Sequence, residues 1–325
     1  MRKTLIQIGL AVAGLCVAQV AFAQTDAEAK IPALMKIVVP FSAGASNDNI
    51  ARVIAPLLAK RLNNTVIVEN KPGAAGVIGS DYVAKSPKDA SILLLTSSTF
   101  LTAAATQSRL PYDPLTAFAP VAMVGQGPLL LAVSAMTSIK SPQDLVAAAR
   151  AKPGALTYGS SGLGSIAHMA SEMLSDSARI QLTHVPYKGA ANALLDMAGG
   201  QIDMMISNYS SLLPQIKAGR VRAVAVTSRL PSASFPDLPT MAGVAPGFVA
   251  DIWISILAPA GTPAALVQRL NREFNEIAAT PQVRALLESD GALPTPLSPA
   301  ELAQRIKEDL TSWKKIATEK KIIAE

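Results

Sequence analysis

Cysteine is almost missing from this 325-residue sequence: only Cys16 occurs. It lies in an apolar run, Leu5 to Val20, which follows Arg2 and Lys3 and leads to the small-x-small site Ala21-Phe22-Ala23. That arrangement reads as a secretory signal peptide over residues 1–23, cleaved after Ala23, and the run is short for a membrane span. A lipid anchor at Cys16 would need a small residue before it, and Leu15 stands there. The exported chain then has no disulfide, no thiolate metal site and no cysteine nucleophile. Histidine is nearly as rare, His168 and His184 being the only two. Aromatic residues make up 4% of the chain, too few for a surface that stacks bases, and Lys and Arg are scattered rather than run together. Nucleic acid is therefore not an expected partner. The net charge of +6 reads as a solvated surface or weak steering of anionic ligands.

Apolar residues are plentiful, at 50% against 16% charged, so a large core is available. The roughly 300 residues left after the signal suffice for two domains of ordinary size. Lys36 to Pro40, Val66 to Glu69 and Ile92 to Thr96 read as strands. Behind them come the loops Phe41 to Asp48 and Lys71 to Gly79, and the hydroxyl cluster Ser97-Ser98-Thr99. Ile50, Val53, Ile54, Leu57 and Leu58 mark an amphipathic helix, in which Pro56 predicts a kink or an early end. Val121 to Val124 and Leu129 to Val133 are consecutive strands, the second crossing to another lobe. The strand–loop–helix rhythm then resumes through Leu182 to Pro186, Ile202 to Ile206 and Val221 to Thr227. Ile252 to Leu257 is a late strand. The helices after it carry Leu266, Leu270, Phe274 and Ile277, and then Leu302, Ile306, Leu310 and Trp313 behind the capping box Ser298 to Glu301. This rhythm predicts an α/β protein of two lobes, each a mostly parallel sheet flanked by helices. The expected division is 24–126 plus 251–325 for the first lobe and 127–250 for the second. Ligands of such sheets sit beyond the carboxyl ends of the strands, which here means a cleft between the lobes.

The stretch Ala155 to His168, ALTYGSSGLGSIAH, concentrates this chemistry. Leu156 and Tyr158 belong to a strand. Gly159 to Gly164 forms a turn, and Ser165 opens a helix with Ile166, Met169, Ala170, Met173 and Leu174 on one face. Free N–H groups, the Ser160, Ser161 and Ser165 hydroxyls and the positive end of a helix dipole converge there. An anion can be held at such a point without a cationic side chain. The same residues also suit a plain strand-to-helix turn with Ser165 as its N-cap.

Enzymatic readings fit poorly. A nucleophile elbow needs Gly-x-Ser-x-Gly, which Gly159 to Leu163 misses by one place, and both histidines read as structural. Gly162 to Ala167 fits the dinucleotide pattern G-x-G-x-x-A, but Gln181 to Val185 supplies no acid for a ribose. No glycine loop ends in Gly-Lys-Ser/Thr, so a phosphate-binding loop of that type is absent. Asp48, Asp203 and Asp251 follow separate strands or turns, and no pair has metal-ligand spacing. No catalytic residue, metal site or cofactor is expected. Asp48 either caps a helix or receives a ligand's ammonium group.

Taken in order, Val38-Val39-Pro40-Phe41, Val68 to Gly73, Leu110 to Pro114, Val185 to Gly189, Gly200 to Asp203 and Leu257 to Pro263 carry a resemblance. The chain resembles the periplasmic solute receptors of the Bug type, the substrate-binding components of tripartite tricarboxylate transporters. The resemblance implies the two-lobed type II periplasmic-binding-protein fold and a periplasmic, monomeric receptor. It would deliver a small carboxylate to membrane permease subunits, or else signal carboxylate availability to a membrane partner without transport. The resemblance also implies that the carboxylate is held by backbone amides and bridging waters between the lobes. Carried over by position, the ligand-binding residues are Ser42, Ala43, Gly44, Asn47, Asp48 and Ser98 in the first lobe. In the second they are Ser160, Ser161, Gly164, Ser165, His168, Tyr187, Gly189, Ala190 and Asn208. Ala43, Ala45 and Asn47 depart from the family's first-lobe loop. Trp253 matches a tryptophan on the returning strand and reads as core packing near the hinge.

Overall fold

A computed structural model describes residues 30–187 and 189–323. The signal peptide read over residues 1–23, Cys16 within it, and Lys188 lie outside the described residues.

The first sheet is built from β1 (Leu34–Val39), β2 (Thr65–Asn70), β3 (Ile92–Ser97), β4 (Phe118–Pro128) and, from far along the chain, β10 (Asp251–Pro259). The second contains β5 (Leu130–Ser134), β6 (Thr157–Ser160), β7 (Thr183–Pro186), β8 (Met204–Ser207) and β9 (Val221–Val226). Their orders, β2-β1-β3-β10-β4 and β7-β6-β8-β5-β9, are the same pattern twice. Helices α1 (Ser46–Leu62), α2 (Val77–Ala84) and α3 (Thr99–Thr106) follow the first three strands. In the second sheet α4 (Pro142–Ala151) precedes β6. Then α5 (Ile166–Ala178), α6 (Ala190–Ala198) and α7 (Tyr209–Lys217) each follow a strand. The chain closes with α8 (Ala264–Ala278), α9 (Pro281–Glu288) and α10 (Pro299–Glu319).

The sheets are mixed rather than mostly parallel. In the first, β2, β1 and β3 pair in parallel, while β10 runs antiparallel to both β3 and β4. In the second, β7, β6 and β8 are parallel, and β5 is antiparallel to β8 and β9. The cause is the chain crossing between the sheets. A strand that arrives from the other sheet starts at the strand ends facing that sheet, so β5 and β10, each between two neighbours, run against them. It follows that the carboxyl ends of β1, β2 and β3 and those of β6, β7 and β8 face each other across one gap.

Packing overrode one local prediction. Pro56 sits inside α1, which nevertheless runs unbroken to Leu62. An interior proline costs about 3 kcal/mol. Ile50, Ile54, Leu58 and Leu62 are all buried on the opposite face. At about 1.5–3 kcal/mol each, that burial exceeds the cost. Pro56 itself is exposed, so the carbonyl it leaves unpaired faces water. Elsewhere the local signals hold: Ser298 and Glu301 form the reciprocal capping box, and Leu302, Ile306, Leu310 and Trp313 are buried.

β5 shows how the core is divided. Leu131 and Val133 face the larger cluster, while Leu130 and Ala132 face a smaller one beneath α6 and α7. This is the two-residue alternation of a strand covered on both faces. The larger cluster runs from the first sheet through α10 to Tyr158, Met169 and Leu174 beside the second. Trp253 is fully buried in it, and its Nε1 donates to Asp309 Oδ2 at 2.8 Å.

Candidate ligand-binding site

The first-lobe loop is tied down by its own acid. Asp48 is 1% exposed and accepts hydrogen bonds from Gly44 N at 2.8 Å, Arg52 Nε at 2.9 Å and Asn70 Nδ2 at 2.9 Å. Gly44 takes φ +82°, the left-handed region that glycine enters without penalty, and this aims its N–H at the carboxylate. The Arg52 guanidinium, the Gly44 amide and the Asn70 amide outweigh the effect of burial and hold the Asp48 carboxyl below its ordinary range. Both carboxylate oxygens are thus engaged within the protein, and Asp48 organises the loop rather than offering a free acceptor to an ammonium. Arg52 is a cation that sequence reading missed, because it lies one helical turn past the loop. Lys71, in contrast, is paired with Glu69 and lies over the Tyr82 ring. Asp48→Ala would leave these donors unpaired. We expect a loss of about 2–3 kcal/mol of stability, read by urea denaturation.

In the second lobe, Ser165 is the N-cap of α5 and accepts from His168 N at 3.4 Å. Its hydroxyl donates to Gly162 O at 2.7 Å. Gly164 N donates to His168 Nδ1 at 3.1 Å, and Gly162 N to Ser160 Oγ at 3.2 Å. Ser160 is fully buried, with its Oγ 2.6 Å from His184 Nε2. Several donors that the sequence assigned to a ligand are therefore spent on the turn itself: the Ser160 and Ser165 hydroxyls and the Gly164 amide. Among the described residues, the Ser161 hydroxyl and the N–H groups of Ser161, Leu163, Ile166 and Ala167 carry no hydrogen bond. Ser161 is exposed. Gly164, at φ +72°, lies so close to Thr106 of α3 that a Cβ there would collide with it. The turn therefore abuts the first lobe.

The remaining assigned residues divide in the same way. The Ser98 hydroxyl is buried and accepts from Trp253 N at 2.9 Å, so it fastens β10 rather than facing the cleft. The Tyr187 hydroxyl donates to Asp196 Oδ2 at 2.7 Å, also inside the second lobe. Gly189, Ala45 and Asn208 flank the starts of α6, α1 and α7, and none makes a side-chain cap. The first-turn amides of Ser46, Asn47 and Asp48 are likewise without a protein acceptor among the described residues. Ser42 and Ala43 are exposed beside them, and Ala190 opens α6. Asp290, which the sequence did not single out, bridges the lobes. It accepts from Ser46 Oγ at 2.9 Å and from Ser210 N, in the first turn of α7, at 2.9 Å. No local pattern marks it, because its partners are far away in sequence.

Helices α1, α6 and α7 thus start without side-chain caps, and among the described residues no group of three His, Cys, Asp or Glu could hold a metal ion. A family model described as tripartite tricarboxylate transporter family receptor matches residues 50–322. The chain belongs to this family. The family is one of solute receptors rather than enzymes. The receptor is 35% identical to protein BugT of Bordetella pertussis over 314 residues, which is 95% of this chain and 96% of that protein. Two solved structures share its fold. Rpa4515 of R. palustris with adipate matches at 32% identity and a TM-score of 0.77, covering 88% of this chain and 96% of that one. MatC from Rhodopseudomonas palustris with bound malate matches at 28% identity and a TM-score of 0.76, covering 87% of this chain and 98% of that one. The receptor therefore has the two-lobed periplasmic-binding-protein fold.

Proposed function

We propose that this receptor captures a small carboxylate in the periplasm and presents it to the membrane subunits of a tripartite transporter. The observation that carries the reading is the set of helix-start amides without a protein acceptor among the described residues, Ser46 to Asp48 in α1 of one lobe and Ile166 and Ala167 in α5 of the other, at the strand ends that the topology turns toward one gap. Each start carries about half a positive charge and a fan of N–H donors, which suits a carboxylate. The Arg52–Asp48 pair adds no net charge, so selectivity rests on the amides and on Ser161. Adipate and malate, bound by two relatives, are both dicarboxylates with an acid at each end. A ligand of that kind can engage both helix starts at once.

In this reading the export signal is removed after Ala23 and the receptor acts as a monomer, because both halves of the cleft come from one chain. The mobile bodies are 24–126 plus 251–325 and 127–250, turning about the crossings near residues 127 and 250. Delivery is favoured over signalling without transport by the family's description as transporter receptors.

The test is thermal melting of the purified receptor with adipate, malate and a monocarboxylate. A ligand at 100 times its Kd stabilises by about 2.7 kcal/mol, which for a protein of this size is a shift of roughly 4–5 °C. No shift with any small mono-, di- or tricarboxylate would overturn the proposal. Scattering with and without a stabilising acid should show a smaller radius of gyration in the bound form. An unchanged radius at saturation would rule out closure.

A further inference from the structure

The histidine that sequence reading set aside as structural touches the turn at its root. His184, on β7, has its Nε2 2.6 Å from Ser160 Oγ, at the last residue of β6. Its ring is stacked on His168 of α5, with centroids 3.9 Å apart and planes 9° from parallel, and on Tyr158 of β6 at 4.8 Å. His168 in turn accepts from Gly164 N. The two rings therefore hold both ends of the Ser160–Gly164 turn, one through a hydroxyl and the other through an amide. Ser161 and Leu163, whose N–H groups are unpartnered among the described residues, lie between these two points.

We propose that His184 is a positioning residue for the ligand-holding turn, fixing Ser160 so that the amides of Ser161 and Leu163 are presented to the carboxylate. This rests on the reading that the turn holds the ligand. It does not need His184 to touch the ligand.

The Gly164–His168 bond requires a neutral His168, whereas Nε2 of His184 can donate to Ser160 in either charge state. A His168 that accepts from an amide at Nδ1 carries its proton on Nε2. Two imidazolium rings 3.9 Å apart would repel, and burial lowers both pKa values to about 4. The other ionisable groups facing the stack are on β6, α5 and α10. The Tyr158 hydroxyl, its pKa raised by burial and by Glu172, donates to Glu172 Oε1 at 2.6 Å. Glu172 Oε2 lies 3.7 Å from Lys320 Nζ, and Lys320 also pairs with Asp176. Glu172 favours a charged His184, but less than burial and His168 oppose it.

His184→Phe keeps a flat ring in the stack and removes the nitrogen. We expect it to raise the Kd of whichever acid, adipate or malate, stabilises the wild type, by about tenfold. Ser160→Ala, which also loses the Gly162 contacts of that hydroxyl, should cost at least as much, and adding His184→Phe to it should cost nothing further. Wild-type affinity should be flat between pH 7.5 and 6.5, above the range where the ligand's own carboxyls titrate. Unchanged binding by His184→Phe, or additive losses in the double variant, would overturn the proposal. If His184→Phe fails to fold, Ser160→Ala removes the same bond from its other side, together with the Gly162 contacts, and should show at least that loss. A second readout needs no ligand, because a chain with only two histidines gives two imidazole signals in nitrogen-15 spectra. At pH 6 both rings should be neutral, and Ser160→Ala should shift the His184 nitrogens and the turn amides. A His168 ring titrating near 6.5, which would release the Gly164 amide, or a His184 signal indifferent to Ser160→Ala, would overturn the positioning role. If wild type binds neither acid, the carboxylate reading fails, and these spectra still decide whether His184 holds the turn.

Discussion

Ser161→Asp is expected to weaken carboxylate binding by between about fivefold and a thousandfold while leaving the ligand-free protein nearly as stable as wild type. Ser161 is exposed, and its hydroxyl and N–H have no partner among the described residues, so the substitution breaks no bond in the turn. It places a fixed negative charge beside the amides that would face the ligand. Two like charges ~4 Å apart repel by about 1 kcal/mol in water and about 4 kcal/mol at an effective dielectric of 20. Every 1.4 kcal/mol is tenfold in Kd, which sets the range. Ser165→Asp would be a poorer probe. Ser165 donates to Gly162 O, and a carboxylate there would lose that bond and face the carbonyl, mixing fold stability with binding. Calorimetric titration of Ser161→Asp and Ser161→Ala gives the comparison, with Ser161→Ala losing only a hydrogen bond. If Ser161→Asp binds as tightly as Ser161→Ala, the ligand charge does not lie at the start of α5.

The receptor should also lose much of its stability between pH 7 and pH 5, well above the range where carboxylates titrate. Burial holds His168 and His184 neutral, with pKa values near 4 against about 6.5 when unfolded. A group whose pKa falls on folding binds more protons in the unfolded chain, so acid favours unfolding. The loss begins as pH drops through about 6.5 and is complete near 4. By pH 5 it amounts to roughly 2 kcal/mol per ring. Asp48 acts in a different window. Its carboxyl is lowered on folding, so its contribution is intact above the unfolded value near 3.9 and disappears only below it. Urea denaturation at pH 7, 6 and 5 separates the two, and His184→Phe should remove part of the upper slope. A flat stability from pH 7 to 5 would mean that the rings are not held neutral.

Periodicity and caps carried most of the local structure. Ser165 was legible as an N-cap, and the Ser298–Glu301 box and the buried faces of α8 and α10 were legible as well. Each of these depends on neighbours three or four residues away. The two-lobed plan was legible from the repeated strand–loop–helix rhythm and from motif order. The antiparallel strands were not, because the direction of β5 and β10 depends on where the chain enters each sheet. Pro56 misled because its cost is local, while the burial that exceeds it is tertiary.

The sequence by itself determined which loops are rich in donors and poor in catalysts, since residue type and turn chemistry decide that. It could not say which of those donors remain free. The Ser160 hydroxyl, the Gly164 amide and the Asp48 carboxylate all looked available along the chain. Each is engaged instead, the Ser160 hydroxyl by His184 and Asp48 in part by Asn70, residues that approach only when parallel strands pair. Likewise Asp290 joins Ser46 to Ser210 across 244 and 80 residues of sequence. A hydrogen bond is satisfied by whatever lies within about 3 Å, and folding alone decides what that is.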